Sequence, residues 1–413
     1  MVRMPTYRAV ITGIGCVSPF GVGGYDLVAD VLKANVSAIQ PLTSFPTAGL
    51  PSCLGAAIPM AYLPETEEAR RWSRLSQMTV LACRRAVAEA GLCDSAALSQ
   101  GGLVVGSQFG DLRSTEAFCL GFLRKGPLGL SPLLFPSTVM NAMAGMTSIA
   151  LGLKGPMLTL NQSGVAGELA VARALFLLRA RRASVVIVCG VDELFPLLYD
   201  TLVQLRIPSP RGCGEEMCRP FDQRHNGPIL GEGATAVVLE VPEHAQARGA
   251  PMLAEVRSAC WGGIPTRPGR FPVLRQGQYP VLDQALAEAA VRPEDVGMAY
   301  LSSCGDPRHD TAELACMAGT FGPHGPLLNS VTHLTGEYGG LGTFRVAAAA
   351  ATVRQGISPT LDYLRQPIRM DVRFAVEPVA PPPAVVLVHG LAPGGLHVAI
   401  VIGRLHDISD VAK

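Results

Sequence analysis

Short apolar runs alternate along this chain with alanine-rich stretches of helical period. Residues 9–14, 102–106, 185–189 and 234–239 read as buried strands, since small and β-branched apolar residues fill them. Between them, residues 73–90 and 168–182 carry alanine and leucine at the spacing of a helix face. After Glu240 the alternation restarts. It predicts a strand near 252–256, a helix near 281–290, a strand at 298–302, a helix near 343–355 and a closing pair of strands. Strands alternating with helices define an α/β protein. Two stretches of the same grammar predict duplicated halves, 1–245 and 246–413, although no sequence repeat is visible. Residues 384–403 are the most apolar late stretch, but Pro393 and several glycines interrupt them. They read as a buried hairpin and not as a membrane span, and the start of the chain has too short an apolar run for a signal peptide.

One of these junctions carries candidate chemistry. Residues 157–160 should be a strand, a turn of small residues follows, and a helix begins near Glu168. A strand-to-helix elbow of this kind can present a serine or cysteine where backbone N–H groups and a helix N-terminus stabilise an oxyanion. Gly164 stands at its apex, and glycine has nothing with which to attack.

Composition narrows the frame. The chain has 413 residues, 48% hydrophobic and 16% charged, enough to bury a large core. A net charge of +1 offers no basic field for nucleic acid. The positive mean hydropathy points to apolar surface covered in a subunit interface. Eleven cysteines with no CxxC pair read as scattered thiols in a reducing cytoplasm, and His and Cys never cluster at metal-ligand spacing.

The segment Arg219-Pro220-Phe221-Asp222, followed by Arg224, Gly227, Gly231-Glu232-Gly233-Ala234 and Leu239-Glu240, resembles the signature of β-ketoacyl synthases of the thiolase fold. The resemblance runs through residues 10–21, 141–145, 151–156 and 190–193, and so covers essentially the whole chain. It implies a five-layer αβαβα sandwich. It also implies four catalytic positions, and all four have changed. Gly164 falls where the family has its cysteine, with Gln162 two residues earlier. Cys304 falls at the first histidine, Thr332 at the lysine and Glu337 at the second histidine. His309 and His333 lie close to these positions and read as packed or exposed histidines. A mobile loop of the family aligns with Leu391, Ala392 and Pro393, where proline should stiffen it.

Loss of a nucleophile in a covalent mechanism costs on the order of 10⁶ in rate, and a carboxylate at Glu337 opposes the negative charge of an enolate unless it is kept neutral. The resemblance therefore implies a chain-length factor. This is the non-catalytic β-subunit of a type II polyketide or aryl polyene ketosynthase, paired as a heterodimer with an active α-subunit. It implies an acyl carrier protein as partner, whose phosphopantetheine arm delivers the chain, and no cofactor of the subunit's own. Phe109, with Leu112, Thr115 and Cys119 on one helix face, and Gln162 align with tunnel-lining positions, and the helical stripe reads equally as interface core. The alternative is an unorthodox acyl-thioester transferase or hydrolase that uses Cys304, activated by His309 or His333. That use requires a depressed thiol pKa.

Overall fold

Five strands of the first half lie side by side in the order Met157–Asn161, Gly102–Ser107, Val185–Asp192, Gly233–Glu240, Ala9–Ser18. This is seen in a computed structural model that describes residues 8–93, 96–212, 214–272 and 279–405. The first three strands run parallel and the remaining pairings are antiparallel. The second half repeats both order and sense with Leu327–Asn329, Met298–Leu301, Val385–Leu391, Leu396–Gly403 and Ala254–Gly263. The same topology used twice is the duplication that the restarted alternation predicts. The sheets join where Ala9 to Ile11 pair with Ala254 to Val256.

Helices Ala166–Arg179 and Gly342–Gln355 each follow the third strand of their half and pack together between the two sheets. Ala347 to Ala351 are fully buried there. Side chains this small let one helix touch both sheets at native packing density. A Cβ at Gly190 would come within 2.1 Å of the Gly340 carbonyl, so only glycine permits that approach. Helices Arg74–Glu89 and Ala142–Leu151 cover the outer face of the first sheet, and Pro280–Ala289 and Pro307–Phe321 that of the second. The five layers are complete.

Several boundaries differ from the sequence expectation: the strand read at 9–14 runs to Ser18, that at 185–189 to Asp192, and the helix read at 168–182 ends at Arg179. The strand placed near 252–256 begins at Ala254 and continues to Gly263, because the polar residues that break its apolar run are satisfied inside the sheet. Arg257 Nε bonds Glu255 at 3.0 Å and Ser258 Oγ donates to the Ala285 carbonyl at 2.7 Å. The elbow helix begins at Ala166, ahead of Glu168.

The signature residues hold the scaffold together. Asp222 takes a two-pronged bond from Arg224 at 2.7 and 3.0 Å and accepts the backbone N–H groups of Arg365 and Gln366. Glu232 takes both terminal nitrogens of Arg74, at 2.6 and 2.7 Å, and the N–H groups of Ile58 and Leu194.

One face is left uncovered. The helix Leu112–Lys125, the turns 126–129 and 135–138, the helix Ala142–Leu151 and the strand Met157–Asn161 pack in series. Along them Leu123, Leu128, Leu133 and Ile149 are 77%, 95%, 89% and 76% exposed. Met157–Asn161 is also the end strand of its sheet, with one edge unpaired. Apolar exposure on this scale, beside an open strand edge, marks an interaction surface.

Candidate active site

The elbow forms as the sequence predicts. Strand Met157–Asn161 leads into a tight turn, and Gly164 sits at its apex with φ +73°, a conformation that favours glycine. A Cβ there would meet nothing nearer than Pro393 Cδ at 3.7 Å, so the space is open and the side chain is absent. The apex N–H is occupied: it donates to Gln108 Oε1 at 3.1 Å. Pro393, the residue overhanging the apex, has no N–H to offer.

The other changed positions gather around this elbow. The segment after Glu337 touches the elbow helix, where the Gly167 N–H donates to the Gly339 carbonyl at 3.4 Å. Thr332 is fully buried, and its hydroxyl contacts Ser330 Oγ at 2.8 Å and the Ser303 carbonyl at 3.3 Å, beside Cys304. Leu391 and Ala392 are buried, and the Leu391 N–H bonds Ser302 Oγ at 2.9 Å, which ties the loop to the segment after strand Met298–Leu301 that carries Cys304. Gly164, Cys304, Thr332, Glu337 and the loop Leu391 to Pro393 therefore surround one site.

Gln162 contributes only a backbone contact, to the Ser107 carbonyl at 3.3 Å. The glutamine that reaches the apex is Gln108, from the turn after strand Gly102–Ser107. Asp192 clamps that turn. Its carboxylate accepts Ser107 Oγ and the N–H groups of Gln108, Phe109 and Gly340, and burial raises its pKa to about 6.

A charge cluster lies beside the elbow. Arg345, fully buried in helix Gly342–Gln355, bonds Glu168 of the elbow helix and, at 3.2 Å, Glu337. Burial raises the pKa of both carboxylates against the pull of Arg345, that of Glu337 to about 8. One arginine cannot hold two buried carboxylates ionised. With its pKa raised to about 8, Glu337 holds a proton at neutral pH.

The surroundings of Cys304 oppose its thiolate form. Its Sγ lies 3.6 Å from the Nδ1 of His309, which is buried, as its reading as a packed histidine allows, and sits beside Cys304. Phe271 stacks on that ring at 4.6 Å, and Ser302 Oγ meets Nε2 at 3.1 Å. Burial, together with the negative fields of Asp310 and Asp306, pushes the thiol pKa well above its usual value. The depressed pKa that the alternative function needs is contradicted. His333 lies elsewhere, packed on Tyr363 with Nε2 3.4 Å from Asn35 Oδ1, and burial lowers its pKa to about 4.

A second buried chain was missed by sequence reasoning. Glu313 accepts from Ser302 and Ser303 and from His389 Nδ1 at 2.8 Å. Although burial opposes ionisation, these partners hold its pKa at about 2. The expected stripe does lie on helix Leu112–Lys125, with Phe109 in the turn before it. Phe109, Leu112 and Thr115 are half-buried and Cys119 is exposed. Among the described residues no group of three or more His, Cys, Asp or Glu could hold a metal ion, and no helix is long and apolar enough to cross a membrane.

A five-layer duplicated sandwich with this elbow defines a protein of the thiolase-like ketosynthase class. Residues 7–245 match the β-ketoacyl synthase N-terminal domain and residues 267–363 its C-terminal domain, and the chain belongs to the β-ketoacyl synthase family. It is 29% identical over 372 residues to Nodulation protein E of Rhizobium sp. (strain N33), covering 87% of this chain and 89% of that protein. To 3-oxoacyl-[acyl-carrier-protein] synthase 2 of Coxiella burnetii it is 27% identical over 373 residues, covering 88% and 90%. Its fold matches the ishigamide ketosynthase/chain length factor with a TM-score of 0.86 at 22% identity, covering 97% of this chain and 100% of that one. A type II PKS ketosynthase in complex with its acyl-carrier protein, AntDE:AntF, matches with a TM-score of 0.85 at 20% identity, with the same coverage.

Proposed function

We propose that this chain is a non-catalytic chain-length factor. It pairs with an active β-ketoacyl-[acyl-carrier-protein] synthase and bounds the tunnel into which a polyketide or polyene chain grows. The observation that carries the reading is the elbow: the scaffold is intact, the apex is glycine, and its N–H is already bonded to Gln108. Condensation needs a nucleophile to hold the chain and donors for the oxyanion, and neither is free here. The uncovered apolar face supports a partner subunit, with the half-buried Leu112 and Thr115 on the helix that borders it. A carrier protein brings its phosphopantetheine arm to the partner's cysteine, and this subunit supplies the far wall. The division into halves near residue 245 belongs to the same proposal.

The test is the size of the product. In the reconstituted pair, Leu112→Trp and Thr115→Phe add volume to a packed wall and shorten the chain by one or more two-carbon units, read by mass spectrometry. Unchanged products from both variants would sink the tunnel assignment.

One contact favours a second reading, in which Cys304 works with His309 as a thioester hydrolase, since their side chains lie 3.6 Å apart. Rapid alkylation of Cys304 by iodoacetamide near neutral pH would favour it. Burial of the thiol, with the negative fields of Asp310 and Asp306, predicts an inert thiol.

A further inference from the structure

Gln108 gives the elbow more than a missing nucleophile. Its backbone is fixed by Asp192, which holds the Gln108 N–H at 2.9 Å and the next N–H at 3.0 Å. Room for its side chain is made by Gly339, where a Cβ would come within 2.3 Å of Gln108 Cβ. The carboxamide oxygen then takes the apex N–H at 3.1 Å. An amide oxygen and a thioester carbonyl oxygen are both planar acceptors, and a part-buried backbone N–H that has bonded one is not available to the other.

We propose that Gln108 is a built-in occupant of this subunit's thioester-carbonyl site, excluding acyl and malonyl thioesters from the elbow so that they are taken only by the partner. This rests on the accessory role proposed above and deepens it: the elbow is closed by a side chain as well as disarmed by a glycine. Restoring a nucleophile alone therefore leaves the site shut. Two nearby features act in the same direction, Pro393 offering no N–H and Glu337 sharing Arg345 with Glu168. Neither bonds the apex N–H.

The test compares Gly164→Cys with the double variant Gly164→Cys/Gln108→Ala in the full-length chain. The space at residue 164 admits the new Cβ, with Pro393 Cδ at 3.7 Å as its nearest neighbour, and the backbone strain of a side chain at φ +73° is common to both proteins. Each protein is incubated with the hexanoyl thioester of N-acetylcysteamine. The introduced thiol attacks the thioester carbonyl, a new thioester forms, the old C–S bond breaks, and N-acetylcysteamine leaves as the free thiol carrying the proton. Acylation mapped to residue 164 by peptide mass spectrometry should be at least ~10-fold faster in the double variant, as expected when one oxyanion donor is released. Equal rates in the two, or no acylation of either, would overturn the proposal.

A second measurement needs no introduced cysteine. In Gln108→Ala the peptide spanning residues 161–168 should exchange its Gly164 amide hydrogen at least ~10-fold faster than in the unaltered chain. Unchanged exchange would also overturn it. Condensation by the unaltered chain alone, which would defeat the accessory role, changes neither comparison.

Discussion

The degenerate site and the apolar face obey opposite rules. Around the elbow every change closes something. Gln108 covers the apex N–H, Arg345 joins two carboxylates, and Cys304 lies in a field that suppresses its thiolate. On the face that runs from helix Leu112–Lys125 to strand Met157–Asn161, large apolar side chains and a strand edge remain open. A protein that had lost all function through drift would have no physical reason to satisfy the first region and leave the second unsatisfied. Under the proposed accessory role, the contrast is that of a chain that has given up bond-making and kept recognition.

The largest effect should come from breaking the closed region at its charge. Arg345→Met leaves Glu168 and Glu337 facing each other without a cation, and removing one partner of a buried ion pair costs about 3–5 kcal/mol. Urea unfolding of the chain should show that loss. Adding Glu168→Gln and Glu337→Gln should recover more than half of it, because the carboxylates and not the lost packing carry most of the cost. A loss below about 1 kcal/mol would mean that the cluster is wetter than its burial implies.

The open region should respond in the reverse way. Leu123→Asp and Leu128→Asp touch little within their own chain, so unfolding stability should change by less than about 0.5 kcal/mol. Affinity for the partner should fall by about 2 kcal/mol for a residue at the centre of the contact, read by sedimentation of the pair. Loss of stability without loss of affinity would reverse the roles assigned to the two regions.

A smaller effect is set by pH. The Glu337 pKa is raised from 4.5 to about 8, so the folded chain keeps a proton that the unfolded chain releases across that interval. Its contribution to stability is therefore lost as pH rises from about 4.5 through 8. Asp192, raised from 3.8 to about 6, has completed its own loss below pH 7. The melting temperature should accordingly fall between pH 7 and 8.5, and Glu337→Gln should flatten that stretch. An equal slope in the variant would assign the titration to another group.

What the sequence makes legible follows from range. Strands such as Val185–Asp192 are fully buried apolar runs, and each announces itself locally. The elbow is equally local, and Gly164 is visible as its apex. Glu168 and Arg345 are 177 residues apart, and Gln108 and Gly164 are 56 apart, so no periodicity links them. A signal was present: a glutamate opens one alanine-rich buried helix and an arginine interrupts another, and two opposite charges in apolar helices imply that they pair. The stripe Leu112, Thr115 and Cys119 is a related case. Helical period gives its face, but only the assembled chain leaves that face uncovered.

The most direct measurement is condensation of malonyl-carrier protein by this chain and its partner ketosynthase, separately and together, with Cys304→Ala here and the nucleophilic cysteine removed there. The account predicts activity only in the pair, unchanged within about twofold by Cys304→Ala and lost with the partner's cysteine, as for a nucleophile whose removal costs orders of magnitude. Turnover by this chain alone that disappears with Cys304→Ala would contradict it.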